Sequence, residues 1–397
     1  MDDFLSWPFF TDAHREASSR LRSWLEPALS DLAERERRGL DVFAIAADAI
    51  RILGEGGWLR CLAPNGSDGS RARPDVRLLC LIRQELAKIS SVADAAFAVQ
   101  GLGSVPIMLF GDDMLRQRYL PALLSGTRIA AFALSEPGAG SDVAALSTTG
   151  RLEGDCYVLN GEKSWISNAK IASHYVVFAR TEEAAGVKGL SAFVVDAATP
   201  GLEIVQPIDV IAPHPLAQLR FVDCRIPTAC RLGDAGDGFK VAMTTLDIFR
   251  PSVGAAAIGL AERAMDCALD YASSRKIAGE HLSELQMTQG RIADMATELD
   301  AAKLLVYRAA WVRDSVEGRV SREPAMAKLY ATEASQQIID WALQMHGGRA
   351  LVSGHPVEMA YREVRALRIY EGASEVQKLI IARQILKEHA DGNADRA

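Results

Sequence analysis

The period of the hydrophobic pattern changes twice along this 397-residue chain, and these two changes constrain its fold most. Apolar residues recur at helical spacing up to Thr127, at the spacing of short strands after it, and at helical spacing again from about Gly238. We therefore predict an α+β multidomain protein. It has an N-terminal helical domain over 1–128, a middle β-barrel-like domain over 129–238 and a C-terminal four-helix bundle over 239–397.

Two local expectations follow from residues that interrupt these patterns. Asn160-Gly161, between the apolar runs 157–159 and 163–166, is a pair typical of a type I′ turn, so it predicts a hairpin. Arg250-Pro251 separates two helical patterns, which places Arg250 at the start of a helix.

Composition excludes several classes of function. The net charge of −7 argues against a nucleic-acid partner, and no stretch approaches the ~18–20 apolar residues of a membrane span. The acidic N-terminus is unlike a signal or transit peptide. His214 and His346 lack the i, i+4 partner of a metal site, so we expect no metal. Six scattered cysteines without a CxxC pair favour reduced thiols and a cytoplasmic location.

A single carboxylate, Glu371, lies in a short polar stretch between two helical patterns. Tyr370 precedes it and Gly372 follows it, and an amphipathic run resumes at Ser374. A glutamate on such a link can reach into a cleft, but a solvated loop residue explains this stretch alone equally well.

Two further motifs lie in the β region. The segment at 134–142 reads LSEPGAGSD, and its glycines let backbone N–H groups approach a ligand. It is not a Walker loop, and the chain has no GxGxxG after a strand, so a Rossmann site is unsupported. Trp165 follows Ser164 and can pack on a planar cofactor, although a tryptophan in a β domain is more often buried in the core.

Together these motifs resemble those of the acyl-CoA dehydrogenase family. The segments LSEPGAGSD, NGEKSWISN and RIYEG, with a trailing IAR, have the family's order and spacing, and the likeness covers nearly the whole chain. The resemblance implies a bound FAD between the β domain and the C-terminal bundle, and an acyl-CoA substrate. It also implies an electron-transferring flavoprotein as electron acceptor and a homo-oligomer, expected to be a tetramer.

The resemblance also implies roles for individual positions. The cofactor contacts implied are Phe132, Leu134, Ser135, Gly140, Ser141, Trp165, Ile166, Ser167, Arg275, Gln286, Gln344, Gly347, Gly348, Ala373 and Glu375. Those at Arg275, Gln286 and 344–348 would reach the FAD of a neighbouring subunit. The substrate contacts implied are Ser141, Asp247, Arg250, Tyr370 and Gly372. The chain departs from the family at Ala278, where phenylalanine is common, at Ala373, where threonine is usual, at Phe249 and in the loop 211–216.

The reaction implied is α,β-dehydrogenation of an acyl-CoA thioester. Glu371 takes the proton from C2 while a hydride leaves C3 for flavin N5, and the thioester carbonyl is hydrogen-bonded by the N–H of Glu371 and a ribityl hydroxyl. Two alternatives remain open. A relative of the same fold could carry out desulfination, oxygenation or nitroalkane oxidation, but Glu371 argues against this. A catalytically idle flavin-binding interaction protein is the other, and the acidic balance argues against it. Straight-chain, branched, cyclic and aryl acyl groups all remain possible.

Overall fold

The computed structural model describes residues 3–63, 73–181 and 186–394. These residues form ten α-helices and ten strands. The helices are α1 (Asp12–Arg37), α2 (Val42–Glu55), α3 (Val76–Ile89), α4 (Ser91–Phe110), α5 (Asp113–Leu124), α6 (Gly238–Ser274), α7 (Gln286–Ser315), α8 (Arg322–His346), α9 (Pro356–Leu367) and α10 (Ser374–Ala394). The strands are β1 (Ala130–Ala133), β2 (Thr149–Glu153), β3 (Cys156–Ser167), β4 (His174–Arg180), β5 (Leu190–Asp196), β6 (Leu202–Pro207), β7 (Leu216–Pro227), β8 (Arg231–Leu232), β9 (Lys276–Ile277) and β10 (Glu280–His281).

Aspartates begin several helices of the N-terminal region. The side chains of Asp41, Asp75 and Asp112 accept hydrogen bonds from backbone N–H groups in the first turns of α2, α3 and α5. These bonds satisfy donors that have no partner within the helix, and so fix where each helix starts. The helical pattern predicted over the first 128 residues is therefore confirmed in the described part of that region.

The chain divides into two compact units, each assembled from separate stretches. The first, here the helical unit, comprises Met1–Gly39, Asp75–Ser91 and Asp247–Ala397. Within it α7 packs on α8 and α3, α8 packs on α9 and α10, and α1 packs on α3. The second, here the mixed unit, comprises Leu40–Pro74 and Val92–Leu246. The predicted domain boundaries at 128/129 and 238/239 stay a prediction.

The sheet of the mixed unit has the order β6-β7-β3-β2-β4-β5-β8, with β1 beside β4. Strands β1 and β2 pair with β4 in parallel, and the other pairs are antiparallel. The predicted middle β domain is confirmed, but its described strands form a mixed sheet with two ends and no closed barrel. One core cluster includes Leu159, Tyr175, Phe193, Leu219 and Ile226, all buried.

The predicted hairpin at Asn160-Gly161 is wrong. Strand β3 runs without interruption through both residues, and its pairing with β7 shifts register between Leu159 and Gly161. Gly161 has a φ of 144°, and a Cβ there would lie 2.7 Å from Oγ1 of Thr148, so glycine serves a bulge at this position. The turn lies instead between β2 and β3, where Glu153 pairs with Cys156.

The predicted helix start at Arg250 is also wrong, because α6 continues through Pro251. Among the described helices, only α4 is long and apolar enough by composition to cross a membrane, which corrects the expectation that no stretch approaches such a length. Nearly all of α4 is buried, as in the core helix of a folded domain. All six cysteines are free thiols.

Candidate active site

The link between α9 and α10 presents Glu371, as the sequence predicts. Helix α9 ends in a turn in which the N–H groups of Ile369 and Tyr370 donate to the carbonyl of Ala366. Glu371 then has a φ of 52° and Gly372 a φ of 96°. A positive φ is ordinary for glycine but strained for glutamate, and strain of this kind concentrates at functional sites.

Glu333 on α8 binds both ends of this link. Its Oε2 lies 2.7 Å from the guanidinium of Arg368, and its Oε1 accepts a hydrogen bond of 2.5 Å from the hydroxyl of Ser374. Burial raises the pKa of Glu333, but these two contacts lower it by more and hold it below its usual value. Its charge therefore persists at neutral pH, and the link is held at both ends.

Two side chains converge on the carbonyl oxygen of Gly372. Nζ of Lys328 and Nε2 of Gln377 each donate to it at 2.8 Å. Nε2 of Gln377 also lies 3.4 Å from the carbonyl oxygen of Glu371. The backbone after Glu371 is thus fixed by α8 from one side and by α10 from the other.

The predicted substrate residues Asp247 and Arg250 form a buried ion pair on α6. Asp247 also accepts from Nε of Arg319 at 2.7 Å and from the hydroxyl of Ser321 at 3.0 Å. Burial lowers the pKa of Arg250, while Asp247 and Glu371 oppose that change. The structure therefore brings Arg250 into electrostatic contact with Glu371.

In the mixed unit, a buried ion pair joins the Gly-rich loop to β3. Nζ of Lys163 donates to the carbonyl of Leu134 at 3.0 Å and to Oε1 of Glu136 at 2.7 Å. Beside it, the N–H of Ser164 donates to the carbonyl of Ser135. Burial raises the pKa of Glu136, but Lys163 lowers it by more, to about 2. The two predicted flavin segments thus lie side by side.

Trp165 is exposed, with 56% of its surface accessible, and has a φ of 63°. It is therefore not the buried core tryptophan that the sequence left open. Gly140 and Ser141 are exposed on the loop, and a Cβ on Gly140 would meet nothing within 4 Å. The side chains of Leu134 and Ile166 are buried, so only their backbone groups can reach a ligand. Phe132 and Ser167 are half-buried.

A pocket of about 720 Å³ lies in the helical unit. Four of the predicted cofactor residues line it, namely Arg275, Gln344, Gly347 and Gly348. Gln286 begins α7 and is exposed beside the lining residue Met287. Ala278 lies in the β9–β10 turn with a φ of 51°, while Ala373 and Glu375 belong to the link and to α10.

Two cation–π pairs among the lining residues were not predicted from the sequence. The guanidinium of Arg291 lies 4.4 Å above the ring of Trp341, and Arg349 lies above Tyr271. Trp341 precedes Gln344 by about one turn of α8, so helical spacing around Gln344 could have found it, whereas Arg291 lies five residues after Gln286 on α7 and does not share its face. Within the described ranges, neither Arg275 nor Arg349 forms an ion pair with a carboxylate.

Comparison with known proteins identifies the family of this chain. The N-terminal, middle and C-terminal domain models of the acyl-CoA dehydrogenase family match residues 11–127, 131–224 and 236–386. The human mitochondrial short-chain specific acyl-CoA dehydrogenase is 46% identical over 286 residues, 72% of this chain and 69% of its own length.

The chain belongs to the acyl-CoA dehydrogenase family.

Two further relatives of this acyl-CoA dehydrogenase family member extend the comparison. The subunit CarC of the caffeyl-CoA reductase–Etf complex of Acetobacterium woodii is 37% identical over 335 residues, 84% of this chain and 88% of its own length. The structure of butyryl-CoA dehydrogenase from Megasphaera elsdenii superposes with a TM-score of 0.86 at 30% identity, covering 95% of this chain and 99% of that one. The chain is therefore an FAD-dependent oxidoreductase that dehydrogenates acyl-CoA thioesters.

The residues present fit FAD in each unit taken separately. The mixed unit offers an open Gly-rich loop next to an exposed indole, which suits a planar ring with polar edges. The helical unit offers a pocket in which Arg275 and Arg349 form no ion pair with a described carboxylate, while Arg291 pairs with Asp294, and two such guanidinium groups suit a pyrophosphate.

Proposed function

We propose that Glu371 is the base that removes the C2 proton of an acyl-CoA thioester. The strained backbone of Glu371, held by Glu333, Lys328 and Gln377, carries this proposal. A carboxylate on a fixed backbone keeps its position relative to a bound substrate, which is what efficient proton transfer requires. Its own N–H is the donor that the family pattern assigns to the thioester carbonyl. Hydrogen bonding there stabilises the enolate oxygen and makes the C2 proton acidic enough to leave.

FAD, when bound, supplies the acceptor for the hydride from C3, so that loss of this hydride and of the C2 proton leaves a 2-enoyl thioester. The chain's own residues then have three tasks. Glu371 holds the proton, and Trp165 with the loop at Gly140 and Ser141 orients the ring. The pocket at Arg275 binds the anionic end of the cofactor.

We propose a CoA thioester as the form of the substrate, with Asp247 and Arg250 in its binding site. Their ion pair is buried, and Nε of Arg250 is buried with no hydrogen-bond partner among the described residues. A buried donor of this kind is costly unless a ligand satisfies it. If the free acid bleaches bound flavin as well as its CoA ester does, this assignment fails.

We also propose an electron-transferring flavoprotein as electron acceptor and a homotetramer as the assembly. The relative CarC is a subunit of a caffeyl-CoA reductase–Etf complex, which supports this acceptor. Large exposed apolar side chains support assembly, because some are neighbours in sequence, as Leu351 is with Val352 and Ile385 with Leu386, and contiguous apolar surface favours association. They include Met287, Leu351, Val352, Leu379, Ile385 and Leu386. A cytoplasmic location remains our proposal, supported by six unpaired cysteines.

The decisive experiment replaces Glu371 with glutamine, which keeps the shape and removes the base. The wild type and Glu371→Gln are mixed anaerobically with a panel of acyl-CoA esters, and flavin reduction is followed by its absorbance. We expect the rate to fall by about 10²–10⁴ while flavin content and thioester binding persist. Reduction at the wild-type rate would place the base elsewhere.

A further inference from the structure

Lys328 is a fully buried lysine that the proposed reaction does not use. It lies on α8 and is 0% exposed, on the same buried helix face as Thr332 and Ser335. Lysine is almost never fully buried unless its ammonium group is bound. Here the ammonium donates a hydrogen bond of 2.8 Å to the carbonyl oxygen of Gly372, so Lys328 binds the residue that follows Glu371.

This contact acts on an unusual piece of backbone. Glu371 and Gly372 both have positive φ values, and the Gly372 carbonyl lies at the C-terminal end of this left-handed pair. A Cβ on Gly372 would lie 2.4 Å from Nε2 of Gln377, the amide that donates to the Gly372 carbonyl. Hydrogen bonds to this carbonyl therefore restrain the left-handed backbone that carries the Glu371 side chain.

Hydrogen bonding alone does not account for a lysine here. Gln377 already gives the same carbonyl a neutral donor at 2.8 Å. Burying an ammonium is expensive, and a second neutral donor would satisfy the oxygen at lower cost. We therefore infer that the positive charge of Lys328 acts on a nearby carboxylate as well. Glu371 is the carboxylate that interacts most strongly with Lys328, ahead of Glu333.

The electrostatic surroundings are mixed. Burial lowers the pKa of Lys328 to about 8, against the attraction of Glu371 and Glu333, so the ammonium form prevails at neutral pH. The ionisable groups around the link are Arg250 of α6, Lys328 and Glu333 of α8, Arg368 and Tyr370 of the link, and Glu375 and Lys378 of α10.

We propose that Lys328 is a positioning residue for Glu371. Its hydrogen bond to Gly372 holds the left-handed backbone of the link, and its positive charge favours the carboxylate form that can accept a proton. This inference rests on the proposed role of Glu371 as the base. It adds a second requirement for activity, namely a buried cation on α8.

Three variants of the FAD-loaded protein separate these effects. Lys328→Met removes the bond and the charge, whereas Gln377→Leu removes a neutral bond to the same oxygen, together with the longer contact to the Glu371 carbonyl, and leaves the charge in place. Lys303→Met removes another buried lysine of the helical unit, one that pairs with Glu262. The measurement is the rate of anaerobic flavin reduction by the best acyl-CoA ester between pH 5 and 9, with flavin content as a check.

We expect Lys328→Met to reduce flavin about 10- to 100-fold more slowly than the wild type, the cost of a misplaced base. The acid limb of its pH profile should move up by about one pH unit, because a nearby cation no longer favours the carboxylate. Gln377→Leu should slow the reaction without moving the acid limb, and Lys303→Met should change neither. A wild-type rate and an unmoved acid limb in Lys328→Met would overturn the proposal.

Lys328→Gln covers the case in which Lys328→Met does not fold, because glutamine keeps a donor and loses only the charge. The acid limb should move in this variant as well. If neither variant folds while Gln377→Leu does, the role of Lys328 is structural and the proposal is overturned. A wild-type rate in Glu371→Gln would instead refute the proposed base, so the two failures are distinguishable.

Discussion

Nζ of Lys163 lies 2.7 Å from Oε1 of Glu136, and both side chains are buried. The same Glu136 accepts from the backbone N–H groups of Ser147 and Thr148. One ion pair thus fixes the Gly-rich loop, the start of β2 and the part of β3 that leads to Trp165.

Replacing Lys163 with methionine should lower the free energy of unfolding by about 3–5 kcal/mol, because it leaves a buried carboxylate without its cation. Flavin content should fall as well, because the loop and Trp165 lose their common anchor. Denaturant unfolding and flavin absorbance measure the two effects. Lys240→Met, on an exposed lysine, is the control and should change neither. Equal stability of the two variants would contradict the prediction.

His174 should make stability depend on pH. Burial, with a smaller contribution from Arg128, lowers the pKa of His174 to about 4, although Asp196 opposes this. The unfolded chain, with a histidine pKa near 6.5, then binds more protons between pH 6.5 and 4. Stability therefore falls as the pH falls through this window, by up to about 3 kcal/mol.

The matched variant is His174→Phe, which keeps a ring against Tyr119 and cannot be protonated. Urea unfolding at several pH values should show a flatter dependence for this variant between pH 6.5 and 4. The exposed His389→Gln should keep the wild-type slope. A wild-type slope in His174→Phe would assign the dependence to other groups.

Gly372→Ala should slow flavin reduction and destabilise the protein by about 1–2 kcal/mol, because alanine is strained at a φ of 96° and its Cβ meets Gln377. Gly290→Ala is the matched control. Gly290 is helical and a Cβ there meets nothing within 4 Å, so alanine should stabilise α7 by up to about 1 kcal/mol. Thermal unfolding and anaerobic reduction are the two measurements. Equal effects of both substitutions would show that the backbone at Gly372 is not special.

Arg275→Glu should weaken FAD binding by about 10- to 100-fold, because it replaces a cation of the pocket with a charge that repels a pyrophosphate. Equilibrium dialysis of the apoprotein with FAD measures this directly. Arg365→Glu makes the same charge change on an exposed position of α9 and should keep the wild-type affinity. Full flavin occupancy in Arg275→Glu would remove Arg275 from the cofactor site.

Sequence reasoning located Glu371 because the helical period stops before it and resumes after it. It failed at Asn160-Gly161, where a pair that favours turns is used for a bulge within a strand whose neighbours on both sides hold it extended. It failed at Pro251, because α6 is buried on both sides of this proline, at Phe249 and Val253, and this burial outweighs the loss of one backbone hydrogen bond.

Lys328 and Glu333 were missed for a different reason. Each acts on a residue about 40 positions away, and local patterns carry no information about such distant contacts. The only sequence signal is a lysine on an otherwise uncharged face of α8, shared with Thr332 and Ser335. That signal identifies a buried cation but not its partner.

The helical unit is assembled from three separate stretches of the chain, so its helices are synthesised at widely separated times. Helices α1 and α3 leave the ribosome early, but Arg77 of α3 binds Asp314 of α7, which is made 237 residues later. At typical translation rates that delay is roughly 10–50 s. During this time α1 and α3 can pack on each other, but the face of α3 that packs on α7 has no native partner until α7 emerges.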